Sequence, residues 1–260
     1  MTDDRSGPLS PEQESSDAAD LRASLDSLSG LVGGTLGLQE LLTQVATYAA
    51  RAIPGADGAG VTLLRLDRTE NLVDALAASH QFVSEIDEVQ YKVLNEGPCI
   101  SAALERRTMR SGSLGGEQRW PRFGPRVGRM GVHSVLSLPL LLPNTVVGAI
   151  NVYAHDKDVF DEHAAELGEL FAKPAAVAVH NAQLLAQALT LTQQLQAALA
   201  SRPVIDQAIG LMRGRSGQSA DEAFARLREI SQSENIKLTA VAERVVDEAV
   251  RRARARRLQS

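Results

Sequence analysis

Two runs, Val132-His-Ser-Val-Leu-Ser-Leu-Pro-Leu-Leu-Leu142 and Val146-Val-Gly-Ala-Ile-Asn-Val-Tyr153, decide how this chain folds. Both stay apolar for longer than a half-exposed strand allows, and Pro143-Asn144 between them is turn chemistry. They read as a pair of strands covered on both faces, which requires helices above and below the sheet. Upstream, Gly60-Val-Thr-Leu-Leu-Arg-Leu66 and Leu72-Val-Asp-Ala-Leu-Ala-Ala78 predict a second strand pair around the polar turn at 67–71. Between the pairs lie a helical stretch over 83–94, a helix from Pro98 to Glu105 and a loop at Ser111-Gly-Ser-Leu-Gly-Gly116. Proline suits the first turn of the Pro98 helix because no N–H is needed there.

Working outward, residues 1–20 crowd six carboxylates with almost nothing apolar to bury, and predict a disordered leader. A helical pattern follows to Ile53, with a break expected at Gly33-Gly34 and a stop at Pro54-Gly55. Downstream of Phe160 the pattern is helical throughout. Leu184, Ala188, Leu191, Leu195 and Ala198 recur at alternating spacings of four and three, a coiled-coil stripe that predicts a homodimer through a linker at 183–200. Three apolar stripes come next: Ile205, Ala208, Leu211 and Met212; then Ala220, Ala223, Phe224, Leu227 and Ile230; then Leu238, Val241, Ala242, Val245 and Ala249. They predict a three-helix bundle over 201–250, with Ser219 and Glu222 as a capping box for its second helix. The arginine-rich segment 251–260 is too charged for the core and is expected as a basic tail.

Aromatic residues and charge divide the 260 residues in the same way. Of nine Phe, Trp and Tyr residues, eight lie between Tyr48 and Phe171 and only Phe224 lies beyond. Residues 186–260 carry a balance of +4 and residues 1–185 a balance of −9. A basic end on an acidic body points to a polyanionic partner, or else to a solvated helix face. The single cysteine, Cys99, excludes an intrachain disulfide and a cysteine-based zinc cluster. His80, His133, His155, His163 and His180 have no metal-ligand spacing, and no phosphate loop or nucleophile set occurs, so neither a catalytic nor a metal site is expected. Without a long apolar run or a hydrophobic signal core, the expected location is cytoplasmic, off the membrane.

The segment Ala200-Ser-Arg-Pro-Val-Ile-Asp-Gln-Ala-Ile-Gly-Leu-Met212, with Glu222-Ala-Phe224, Leu227-Arg228, Ser231, Asn235 and the stretch 238–246, resembles an ANTAR domain. Gln90-Tyr91, Gly97-Pro-Cys99, Arg119-Trp-Pro-Arg-Phe123, Ser134-Val-Leu-Ser-Leu-Pro-Leu140 and Gly148-Ala-Ile-Asn-Val-Tyr153 resemble the GAF domain that precedes ANTAR in many actinobacterial regulators. The resemblance implies an α+β GAF-like sensor with an antiparallel sheet and flanking helices over 36–182, then a helical stalk and an all-α bundle. It also implies a function: an antiterminator that binds RNA hairpins in nascent mRNA under control of the sensor. One GAF branch reduces methionine sulfoxide with several cysteines; with Cys99 alone this chain lacks the resolving thiol. Ile209 stands where the ANTAR pattern usually has lysine, which removes one positive charge.

Candidate RNA contacts are Arg202, Gln207, Arg213, Arg215, Arg228, Asn235 and Lys237, with Arg202 and Arg228 on motif positions. Phe224 falls in its helix's apolar stripe and is expected in the core, which leaves stacking on bases to arginine. Tyr91, Cys99, Trp120, Phe123, Asn151 and Tyr153 are candidates to line a pocket for a small-molecule ligand, or are plain core. Cys99, just after Pro98, is either a thiol activated by a helix N-terminus or a buried inert one. The alternative is a DNA-binding transcription factor with a three-helix, helix-turn-helix-like output. Against it, the last helix carries Glu243, Asp247 and Glu248, which would meet DNA phosphates.

Overall fold

A computed structural model describes residues 10–31, 36–66 and 71–258. The chain divides into two compact units, Met1–Ala186 and Gln187–Ser260.

The first unit is built on a five-stranded antiparallel sheet in the order β2-β1-β5-β4-β3, from β1 (Gly58–Leu66), β2 (Asn71–Ala78), β3 (Met109–Ser111), β4 (Ser134–Leu142) and β5 (Thr145–Ala154). Both predicted strand pairs form, and β1 and β5 join them side by side, with Val61 opposite Ile150. The loop expected at 111–116 differs: Ser111 ends the edge strand β3, and Leu114–Gly116 is a 3-10 turn. The turn at 67–70 and the break at Gly33-Gly34 lie outside the described residues.

Alternation along the strands sorts the two layers. Val61, Leu63, Leu136, Leu138, Leu140, Ile150 and Val152 face α2 (Leu38–Ala52) and the first part of α6 (Glu162–Ser216), and α1 (Pro11–Leu31) packs on α2. Thr62, Val135, Ser137, Asn151 and Tyr153 take the opposite side, under α3 (Gln81–Glu88), a π-helical turn (Val89–Leu94), α4 (Pro98–Glu105) and α5 (Phe123–Gly128). This double cover is why β4 and β5 read as unbroken apolar runs.

The leader expected to be disordered to residue 20 is helical from Pro11. Asp17, Leu21, Ser24 and Leu28 recur at four, three and four and form its buried face. Asp17 accepts hydrogen bonds from Gln13 Nε2 at 3.0 Å and from His163 Nε2 at 3.1 Å, so the acidic composition that suggested disorder includes a buried, partnered carboxylate.

In the second unit, the end of α6 packs with α7 (Ala220–Glu234) and α8 (Leu238–Arg257). Ala208, Leu227, Val241 and Ala242 are its buried centre, ringed by Val204, Ile205, Ile209, Met212, Ile230, Leu238 and Val245. Ser219 and Glu222 make both bonds of the capping box, at 3.2 and 2.8 Å. The basic segment is not a separate tail, because α8 continues through Arg257. No described helix is long and apolar enough to cross a membrane.

Candidate functional sites

In the first unit, Thr62 of β1, Asn151 and Tyr153 of β5, Asp87 of α3, and Gln90 and Tyr91 of the π-helical turn carry a closed set of polar groups. Eight buried side-chain N and O atoms among the described residues lack a hydrogen-bond partner, and seven belong to these six residues. Buried polar groups are ordinarily paired, so the concentration of these atoms around Cys99 is a candidate site rather than ordinary core.

The amides are fixed in sense. Gln90 Oε1 accepts from the Cys99 backbone N–H at 3.3 Å and Asn151 Oδ1 from Ser137 Oγ at 2.8 Å, which leaves both NH2 groups free. Two glycines allow Asp87 and Gln90 to approach the backbone closely. A Cβ on Gly60 would come within 2.9 Å of Asp87 Oδ2, and one on Gly97, at φ +155°, within 2.1 Å of Gln90 Oε1.

Burial controls the protonation here. It pushes the Asp87 carboxyl up to about 8 and the Cys99 thiol up to about 12. It also raises the Tyr91 and Tyr153 hydroxyls well above their ordinary range. At neutral pH the cluster is therefore uncharged. Burial works against the thiol activation considered for Cys99 and favours the protonated thiol.

Of the sequence candidates, Tyr91, Cys99, Asn151 and Tyr153 are brought together. Trp120 and Phe123 are not; they pack with Val83, Ile86, Leu114 and Val127 in the adjoining apolar core. Trp120 Nε1 donates to Ser101 Oγ at 2.9 Å, and the Arg119 guanidinium lies 4.6 Å over its ring. Arg119 in turn holds the Glu117 carboxyl down at about 2. Thr62, Asp87 and Gln90 were missed. A signal existed, since Val83, Ile86, Asp87 and Gln90 occupy i, i+3, i+4 and i+7 of one helical face.

On the second unit, Arg202, Gln207, Arg213, Arg215, Arg228, Asn235 and Lys237 are all exposed. Among the described residues the five cations of this set make no ion pair, whereas Arg226 pairs with Glu229, Arg244 with Glu234 and Arg252 with Glu248. Arg202 and Arg213 are eleven residues apart, three helical turns, and share one face of α6; Gln207 points elsewhere. Asn235 ends α7 in the left-handed conformation, φ 52°, a backbone reason for its residue type.

Phe224 corrects the expectation of a core residue: it is 40% exposed. It lies one turn before Arg228 on the same side of α7. The acidic face of α8 is present, with Glu243 and Asp247 exposed. Along α6, Leu184, Leu191 and Leu195 are each at least half exposed.

A model of the GAF domain matches residues 35–180 and a model of the ANTAR domain matches residues 193–246. No curated protein sequence matches the chain. Among solved structures, the GAF domain of a phosphoenolpyruvate-protein phosphotransferase from Coxiella burnetii is similar at 17% identity and TM-score 0.50, covering 64% of this chain and 96% of that one. The corresponding GAF domain from Acinetobacter is 14% identical at TM-score 0.48, covering 66% and 97%. A free methionine-R-sulfoxide reductase from Neisseria meningitidis is 16% identical at TM-score 0.48, covering 65% and 93%. At these identities the likeness concerns the fold alone. The matched domains are regulatory rather than catalytic: this chain belongs to the GAF domain family, with an ANTAR output domain placed behind its GAF sensor.

Proposed function

We propose that this protein is a cytoplasmic, signal-responsive transcription antitermination regulator whose ANTAR bundle binds RNA hairpins in nascent mRNA. The observation that carries the reading is the set of unpaired cations, Arg202, Arg213, Arg215, Arg228 and Lys237, on a bundle that matches ANTAR. Phosphates take their charge, and a loop base stacks on Phe224 beside the Arg228 guanidinium. The half-exposed leucines of α6 pair two copies as a coiled coil, so that a homodimer engages two hairpins. Leu191→Glu with Leu195→Glu is expected to give a monomer by sedimentation velocity.

Control comes from the buried cluster around Asp87. A small molecule seated there satisfies its free donors and favours one state of the sensor, by its differential affinity for the two states. α6 carries the difference, since it leaves the sensor and also supplies the first helix of the bundle. An uncharged cluster at neutral pH suits a neutral, hydrogen-bonding ligand.

The test compares the full chain on hairpin RNA, recovered by crosslinking from its own cells, with duplex DNA in a mobility shift. Preference for the hairpin, weakened by Arg202→Glu and Arg228→Glu, supports the reading. Equal or tighter binding to duplex DNA sinks it in favour of a DNA-binding transcription factor.

A further inference from the structure

An open cleft of the first unit lies away from the Asp87 cluster, on the other face of the sheet. It has a volume of about 560 Å³ and is lined by the end of α4, by β4 and its turn, and by α6. That size is within the range of small-molecule sites. Its floor is apolar: Leu138, Pro139, Leu141, Leu142, Pro143 and Ala172.

Its rim is cationic, and the charges divide into used and unused. Arg107 pairs with Glu105 at 2.6 Å, and Glu169 accepts from the Thr108 hydroxyl. Arg106 and Lys173 make no ion pair among the described residues. Arg106 has one long hydrogen bond, from Nη2 to the Leu142 carbonyl at 3.4 Å. It holds this place at φ 54°, the left-handed end of α4, where glycine is the common residue. A hydrocarbon floor beneath two unpaired cations is complementary to one chemistry, an apolar chain ending in a single negative charge.

We propose that this cleft is a second ligand site, separate from the buried cluster, that takes an amphipathic carboxylate. The chain lies on Leu141 and Leu142, and the carboxylate bonds Arg106 and Lys173. Its occupant touches α6 at Ala172 and Lys173, next to Pro174, which has no N–H for the carbonyl of Leu170. A bound carboxylate therefore bears on the helix that leaves the sensor, at a turn where its hydrogen-bond ladder is already interrupted. The proposal does not depend on RNA binding or on occupancy of the Asp87 cluster.

The test titrates sodium dodecanoate, below its micellar concentration, into the full chain by isothermal calorimetry at low ionic strength. One saturable site is expected. Arg106→Gln with Lys173→Gln is expected to weaken it about tenfold, the loss of charge-assisted bonds. Asp87→Asn is expected to leave it unchanged. Unaltered Trp120 fluorescence and thermal melting show that the Arg106 and Lys173 variants are folded, and Arg106→Gln alone serves if the pair is not. Failure to saturate, dodecanol binding as tightly as dodecanoate, or affinity indifferent to the substitutions each overturns the proposal. So does a change in sedimentation on Arg106→Gln with no dodecanoate bound, which would make the face a protein interface.

Discussion

Asp87→Asn removes a carboxyl that folding forces to stay protonated. Burial raises it from 3.8 to about 8, so between these values the folded state keeps a proton that the unfolded state releases. The unfolded state binds fewer protons, and stability falls as pH rises, by about 1.4 kcal/mol per pH unit from pH 4 to pH 8. At pH 7 the span above the ordinary value corresponds to about 4 kcal/mol of lost stability. Asparagine keeps the shape and stays neutral, and its amide is no better paired than the acid was. The variant is therefore expected to be more stable at pH 7 by about 2–4 kcal/mol, roughly 5–15 °C in melting temperature for a unit of this size. Trp120 is the only tryptophan and is buried in the first unit, so its fluorescence during urea unfolding follows that unit within the full chain. A pH series from 5 to 8.5 should show the two proteins converging at low pH and diverging with rising pH. Parallel pH profiles, or a variant less stable than the parent at pH 7, would refute the reasoning.

Three further outcomes follow from the same geometry. Cys99, buried and held as a thiol with its pKa at about 12, should resist Ellman's reagent in the folded protein and react on unfolding; rapid labelling at pH 8 would show that the site opens. Ser219→Ala loses the capping box of α7 and should destabilise the second unit by about 1 kcal/mol, seen as an earlier loss of helical circular dichroism. Phe224→Ala should weaken binding to hairpin RNA by about tenfold while Phe224→Tyr retains it, with an abasic loop abolishing the difference; equal binding of all three proteins removes Phe224 from the interface.

Legibility differed from element to element. The strand pairs were readable because apolar runs bounded by turn residues leave little choice of conformation, and the last three helices because each has one apolar stripe. The first half of α1 was not readable, because its carboxylates dominate a composition reading. Only packing on α2 and the bond to His163 show that Asp17 is inside. In the buried cluster, Tyr91, Cys99, Asn151 and Tyr153 were visible as residue types and through family likeness. Asp87 and Gln90 were not singled out, although they share a helical face with Val83 and Ile86; only laying that helix on the sheet shows that they are buried. Trp120 and Phe123 could be read either as pocket lining or as plain core, and they pack in the apolar core.

The sequence by itself determined what is local and periodic: the strands and their covered faces, the cap at Ser219, the stripe on α6, the concentration of arginine in the second unit. Tertiary structure decided what depends on which side of an element meets another. It buried Asp17 and Asp87, joined β1 to β5 so that Thr62 and Asn151 face one space, and left Phe224 at the edge of its bundle. The reason is physical. Periodicity states that a face is apolar, but whether a lone polar residue on that face is solvated, paired or held for a ligand is set by desolvation and by the groups opposite, which come from distant parts of the chain.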